Sequence, residues 1–295
     1  MTDYGVLFRE LAVPRLVGTP NHKTVRNALK RELQARGFDV EEHAFTGRPA
    51  RALLGVPRQV SGANLIATRP SARPPARPPV WLVAHYDSKG QPISMWARLV
   101  GFLALAIGLV WLPFAGGETW FVIPLAMGFS VLLLNRVTDK SAGAVDNATA
   151  LVTVVMTLDQ LPRDAPVGVI FPDAEEFGLV GARALRAERA ELFAEAVVIN
   201  LDGIDDVGGT VAFLHRPGRI GAAIGDALNA WRVRWLPVIV DGIALAPVSR
   251  ECVTIMRGNA QTMTIVHTPR DTVARVRLDG AALVAAGLAR VLRAG

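Results

Sequence analysis

Cysteine is nearly absent from this chain: Cys252 is the only one in 295 residues. No internal disulfide and no thiolate-based metal cage can therefore form, which is compatible with a reducing compartment. Blocks of like charge are missing too. The formal net charge of +6 comes largely from arginines spread along the whole sequence, without an aromatic-interleaved basic stripe. That basicity reads as a solvated surface suited to anionic lipid, and no nucleic-acid partner is expected. The opening MTDYGVLFRELAVPRL has neither a continuous apolar core nor a small-residue cleavage site, so it does not read as a secretory signal. Internal repeats, a P-loop, a Gly-rich dinucleotide fingerprint and a nucleophile elbow are all lacking.

Apolar sequence is what the chain has in excess, with a mean hydropathy of +0.31. Two uncharged stretches explain much of it: LVGFLALAIGLVWLPFA from Leu99 and WFVIPLAMGFSVLLL from Trp120. Each is near the lower limit of the ~17 to 25 residues that a spanning helix needs, and only Gly116 to Thr119 separate them. The pattern predicts a transmembrane-type helical hairpin that meets membrane lipid through residues 99–134. Arg98 flanks its start, Arg136 and Lys140 flank its end, and Glu118 is the only charge at the tip. The positive-inside rule then puts both ends, and the catalytic domain, on the cytoplasmic side of the membrane. Trp96, Trp111 and Trp120 lie where interfacial anchors would. The alternatives are a buried helix pair or a pair that forms a homo-oligomer interface. The expected organisation is a discontinuous catalytic domain of residues 1–94 and 137–295, with the hairpin insertion at 95–136.

Outside the hairpin, short apolar runs alternate with helical patterns, which predicts an α/β fold with a mixed, mostly parallel central sheet flanked by helices. Asn21 is the expected cap of a helix from about Lys23 to Arg36, with Val25, Leu29 and Leu33 on one face and Gly37 as the stop. Strands are expected at Phe38–Phe45, Ala63–Thr68, Val80–Ala84, Val167–Phe171, Val197–Asn200 and Met263–Val266, and a terminal helix at Leu278–Leu292. RPSARPPARPP, from Arg69 to Pro79, reads as a surface connection, since proline excludes it from helix and central strand.

Four of these strands lead to residues that bind metals. VWLVA leads to His85 and Asp87, VGVIF to Glu175 and Glu176, AVVIN to Asp202, and MTIV to His267. The carboxyl ends of strands in an open parallel sheet form its ligand-binding edge, so these residues are expected to converge. Asp146, in SAGAVDNATA, stands where a helix from about Asn147 begins, and a lone aspartate there would more often be a cap. Two imidazoles and three carboxylates suit zinc, with manganese or cobalt as alternatives. A carboxylate shared by two ions lets five side chains hold both, and ions ~3.5 to 4 Å apart acidify a water between them and polarise the substrate oxygen. Of the adjacent Glu175 and Glu176, one can bind metal while the other carries the proton from water to leaving amine. Asp87 can accept the second N–H of His85 and fix its tautomer. His22, His43 and His215 read as surface or loop residues, with His215 also a candidate for the cleft wall, and Cys252 as a small core residue.

At these positions the sequence resembles the M28 family of co-catalytic zinc peptidases, which contains secreted bacterial aminopeptidases. The resemblance rests on AHYDS around His85, AGAVDN around Asp146, FPDAEEFGLVGA around Glu175 and Glu176, INLDGI around Asp202 and VHTPRDT around His267. RLVGTPNHKTVRNALKRELQARGFDVEEHAF and ANLIA also resemble the family's opening. The resemblance implies a zinc-exopeptidase-like fold and two zinc ions per chain, with Asp146 as bridging ligand and Glu175 as general base. It pairs His85 with Asp202 on one ion and Glu176 with His267 on the other. The implied substrate is a peptide with a free N-terminus. The apolar hairpin occupies an interval that is short in the family, and PVSRECVTIMRG stands where a Ser-Asp-His-like loop is usual. The resemblance also admits glutaminyl cyclase-like chemistry, usually with one zinc, or carboxypeptidase cleavage; a catalytically inactive scaffold is the non-enzymatic alternative.

Overall fold

Segments such as VWLV and VGVIF are apolar at every position, which suits only strands covered on both faces. A computed structural model describes residues 2–50, 54–69, 80–114, 116 and 118–294. Its strands are β1 (Asp39–Gly47), β2 (Val60–Thr68), β3 (Val80–Val83), β4 (Val167–Phe171), β5 (Val197–Ile204), β6 (Gly209–Arg216), β7 (Trp231–Val233) and β8 (Glu251–Gly258). They form one sheet in the order β1-β2-β4-β3-β5-β8-β6-β7. The central β4-β3-β5-β8 block is parallel, β1-β2, β2-β4 and β6-β8 are antiparallel, and β6-β7 is parallel. The sheet is therefore mixed, with parallel strands at its centre.

Among the described residues, ten α-helices accompany it: α1 (Tyr4–Leu11), α2 (Pro20–Ala35), α3 (Met95–Trp111), α4 (Val122–Leu134), α5 (Thr149–Gln160), α6 (Val180–Glu188), α7 (Arg219–Ala227), α8 (Asp241–Leu245), α9 (Ala260–Met263) and α10 (Asp279–Ala294). The period-two geometry of the strands sorts their side chains between two layers. Leu82, Val169, Ile199 and Ile255 pack with α1, α2, α5, α7 and α10 on one face. Trp81, Val83, Ile170, Val198 and Cys252 pack with α6 and α8 on the other. Removing each such aliphatic side chain from water contributes about 1.5 to 3 kcal/mol, so the parallel centre of the sheet is the best-buried part of the fold.

Several expectations need correction. Helix α2 starts earlier than Lys23: Thr19 caps it by accepting from His22 N, and Pro20 occupies its first position. Asn21 lies inside the helix and donates to Pro14 O at 2.9 Å. Met263–Val266 is not a strand. Asn259 and Thr262 form a reciprocal capping box that starts α9, and both Ile265 N and Val266 N then donate to Thr262 O at 3.0 Å. The strand beside β5 is β8 instead, formed by ECVTIMRG, a segment that stands where the resemblance implies a loop. Residues 70–79, most of the expected surface connection, lie outside the described residues.

The two apolar stretches form α3 and α4, which run antiparallel and pack closely through glycines. A Cβ on Gly101 would lie 2.1 Å from Val131 Cγ2, and one on Gly128 would lie 2.3 Å from Leu105 Cβ. Their lengths differ, however. Among the described residues only Met95–Phe114 is long and apolar enough to cross a membrane. Helix α4 has 13 residues, about 20 Å of rise against a hydrocarbon layer of ~30 Å. The expected hairpin of two membrane-length helices is therefore not present among the described residues.

Candidate metal centre

The centre lies at the carboxyl ends of β3, β4 and β5. β3 leads to the buried run Ala84 to Gln91, which carries His85 and Asp87. After β4, Asp173 is followed by Ala174 with φ 55°, and this turn places Glu175 and Glu176 on a short 3-10 helix. Asp202 lies within β5, not beyond its end. Asp146 precedes α5 by three residues and makes no side-chain cap to it. His267 follows α9 with φ 64°, in the left-handed region that is uncommon for residues other than glycine; its carbonyl accepts from Gln91 N at 2.6 Å.

Buried polar groups hold these turns, as isolated backbone donors and acceptors would otherwise carry a desolvation cost. Asp87 accepts from Glu175 N (3.1 Å) and Glu176 N (3.2 Å). Asp271 accepts from Val145 N (2.8 Å) and Asp146 N (3.3 Å). Asn147 donates to Leu201 O and accepts from Gly203 N, which clamps the chain on both sides of Asp202. Arg15, with no exposed surface, donates to Tyr86 O, Ala142 O and Gly143 O, joining the loop after β3 to the loop before Asp146. Gly143 has φ 55°, and a Cβ there would lie 2.4 Å from Asp146 O, so glycine is required where that loop turns.

Five predicted side chains come together. Asp146 lies between two imidazoles, with Oδ1 3.1 Å from His85 Nε2 and Oδ2 3.0 Å from His267 Nε2. Glu176 Oε1 is 3.0 Å from the same His267 nitrogen. Two groups have their donor atoms mutually within 4.8 Å: His85, Asp146 and Asp202, and Asp146, Glu176 and His267. Asp146 belongs to both. Asp146 Oδ1 and Glu176 Oε1 are buried without a hydrogen-bond partner despite these short approaches. Lone-pair atoms gathered at ~3 Å without hydrogen-bond geometry fit ligands around a cation, because donors ~2.0 to 2.2 Å from a tetrahedral zinc are a little over 3 Å apart.

The electrostatics follow from burying so many acids together. Burial raises the Asp146 pKa, but His267 and His85 more than reverse this, and it ends well below the ordinary value. Burial also raises Glu176, yet His267 and Lys89 bring it down to about 2. Glu175 and Asp202 are instead held well above the carboxylate range, first by burial and then by neighbouring acids. Asp241 joins them, pushed up to about 7 chiefly by burial, and both its oxygens are buried without a hydrogen-bond partner. Burial would lower His85, but Glu175, Asp146 and Asp87 raise it well above the usual imidazole value.

Asp87 acts mainly on the glutamate turn. Its Oδ1 is 3.4 Å from His85 Nδ1, but that nitrogen forms no hydrogen bond among the described residues. Asp87 thus fixes the backbone of the glutamate turn. His22 and His43 are buried, contrary to the expectation of surface positions: His22 Nε2 is 2.7 Å from Asp173 Oδ1, and His43 lies between Asn64 and Glu188. His215 is half-buried, 2.7 Å from Thr254 Oγ1, and desolvation lowers its pKa to about 4.

Sequence reasoning missed Asp241, Asp271 and Lys89, and read Arg98 only as a flank of the apolar stretch. Lys89 Nζ is 2.7 Å from Glu176 Oε2, and Arg98 Nη2 is 2.7 Å from His267 Nδ1. Lys89 is visible in the segment HYDSK, four residues after His85. Nothing local signals the place of Arg98 and Asp241 in the centre, because their proximity depends on how α3 and α8 pack.

The model of Peptidase family M28 matches residues 64–235, more than half of the chain. No curated protein matches it. Among solved structures, a glutaminyl cyclase from Porphyromonas gingivalis superposes with a TM-score of 0.66 at 17% identity, covering 99% of this chain and 96% of that one. A zinc aminopeptidase from Bacillus subtilis gives 0.66 at 12% identity, covering 99% and 93%. An aminopeptidase from Aneurinibacillus sp. strain AM-1 gives 0.65 at 12%, covering 98% and 92%. These likenesses are of fold.

Proposed function

Because the chain belongs to peptidase family M28, we propose that it is a zinc-dependent exopeptidase of aminopeptidase type, built around two ions that share Asp146. The carrying observation is the pair of ligand groups with one carboxylate in common. His85 and Asp202 would hold one ion, Glu176 and His267 the other. Zinc bound there would supply an acidified water and polarise the scissile carbonyl. Glu175, whose burial makes its ionised carboxylate a stronger base, takes a proton from the attacking water and delivers it to the departing amine nitrogen as the C–N bond breaks. Asp87 orients Glu175 and Glu176 through their backbone N–H groups.

The apolar surface of α3 and α4, with Leu103, Val110, Phe114, Phe129 and Leu133 exposed, supports attachment to membrane lipid with the centre near the bilayer surface, on its cytoplasmic side by the charge asymmetry. Small hydrophobic peptides with a free N-terminus are then the favoured substrates.

A second reading is glutaminyl cyclase-like chemistry with a single ion. One observation favours it: Glu175, Asp202 and Asp241 are buried acids whose pKa values are all raised, chiefly by burial, which suits proton relay as well as metal binding. Metal content and substrate choice separate the two. The expected result is two zinc ions per chain, turnover of aminoacyl chromogenic amides, and loss of about 100-fold or more in kcat for Glu175→Gln with metal retained. One ion per chain and ammonia release from N-terminal glutaminyl peptides would establish the cyclase reading instead.

A further inference from the structure

The two imidazoles of the centre are held in opposite ways. His85 turns Nε2 toward Asp146 and Nδ1 toward Asp87 Oδ1 at 3.4 Å, so its outer nitrogen faces an acceptor, as is usual for a ring that ligates through Nε2. His267 turns Nε2 toward Asp146 Oδ2 and Glu176 Oε1, both at 3.0 Å. Its Nδ1, however, is 2.7 Å from Nη2 of Arg98. A guanidinium has five N–H donors and no acceptor, and it remains charged, so Nδ1 must be the acceptor of that bond.

A neutral His267 ring bonded to Arg98 therefore carries its proton on Nε2, the atom that lies 3.0 Å from one oxygen of each carboxylate. A cation would need the lone pair at that atom. For His267 to ligate as a neutral ring, the proton must move to Nδ1, where it would meet an N–H of Arg98 head on. The backbone of His267 is held by the bond from Gln91 N to its carbonyl, so the adjustment falls to Arg98. That side chain has a buried Nε without a hydrogen-bond partner among the described residues, and its release breaks no forked pair.

Arg98 does not belong to any metal-bearing loop. It lies in the first turn of α3, the apolar helix, just after its Ser94 cap. We propose that Arg98 is a latch on one half of the metal centre. Bonded to Nδ1, it disfavours a cation at Asp146, Glu176 and His267; withdrawn with the first turn of α3, it opens that half while the His85 half is unaffected. This rests on the metal-centre reading above and adds a regulatory element to it.

The test is a zinc titration of the metal-stripped full chain, followed by calorimetry against a competing chelator, for the native protein, Arg98→Met and Arg98→Lys. Two binding steps are expected in the native chain. Arg98→Met should tighten the weaker step by about 10- to 100-fold, the range seen for groups that orient a ligand, and leave the tighter step unchanged; Arg98→Lys, which keeps a charged donor, should stay near the native value. An unchanged or weakened second step in Arg98→Met would overturn the latch while leaving the metal centre standing. Absence of any zinc binding in all three proteins would remove the metal-centre reading itself, and the latch with it. Side-chain 15N spectra of the native protein provide a check that needs no variant: His267 should carry its proton on Nε2 without metal and on Nδ1 with zinc. A proton on Nδ1 in the metal-free protein would refute the latch.

Discussion

Arg15 shows how a single side chain can hold a site that it does not enter. It is fully buried, and its guanidinium joins carbonyls of the segments that precede and follow the apolar helices, at Tyr86, Ala142 and Gly143. Desolvation lowers its pKa only to about 10, because Asp87, Asp146, Asp271 and Glu176 oppose the shift. It therefore stays charged at neutral pH, and its field offsets part of the repulsion among those acids. Arg15→Met should keep much of the volume but leave the carbonyls of Val13, Tyr86 and Ala142 without their donor, while Gly143 O retains the N–H of Ala148. Charge-assisted hydrogen bonds contribute ~1.5 to 3 kcal/mol each, and buried acceptors left bare carry their own penalty. A loss of at least about 3 kcal/mol is expected in urea unfolding, and a change below about 1 kcal/mol would show that these contacts are replaced by water.

At the scale of elements, α3 and α4 are joined to the catalytic sheet by contacts of two kinds. Polar ones tie their ends: Gly90 N donates to Thr138 O, Leu54 N to Asn135 O, and Gln91 Nε2 to Asn135 Oδ1. Apolar ones hold the helices to each other through Gly101, Gly108 and Gly128. Close approach at small residues is the main attraction between helices when their surroundings are as apolar as they are. Gly128→Leu would drive a side chain into the backbone of Leu105 and should separate the pair. The expected outcome is a drop of several degrees in the melting temperature of detergent-solubilised protein, following an overpacking cost of ~1 to 3 kcal/mol. An unchanged melting temperature would mean that this contact carries little of the pair's stability.

For the whole molecule, the proposed attachment to lipid turns on where apolar side chains are exposed. Leu103, Val110, Phe114, Phe129 and Leu133 are all exposed on the helix pair, and exposed apolar side chains gathered on one element are a common mark of a membrane or partner contact. The formal charge of +6 adds attraction to anionic lipid. The full chain is expected to float with vesicles containing phosphatidylserine in a density gradient. A Leu103→Glu, Phe129→Glu double variant should remain at the bottom, with its metal content unaltered. Equal flotation of both proteins, or of neither, would contradict attachment through this pair.

Local sequence determined much of this architecture, because periodicity and chain reversal are near-neighbour properties. Runs such as VWLV and VGVIF are apolar throughout and specify strands buried on both sides, and Leu278 to Leu292 carries the spacing of a helix packed on one face. The ligand-type residues at the ends of β3 and β4 could be identified the same way, since a strand's end locates the next few side chains. Tertiary structure alone decided the rest. ECVTIMRG became the strand beside β5 through pairing with residues some fifty positions away. Arg98 meets His267 across 169 residues, and Asp241 reaches the acid cluster through the packing of α8. Such contacts depend on how separate elements dock, and no local pattern encodes that placement.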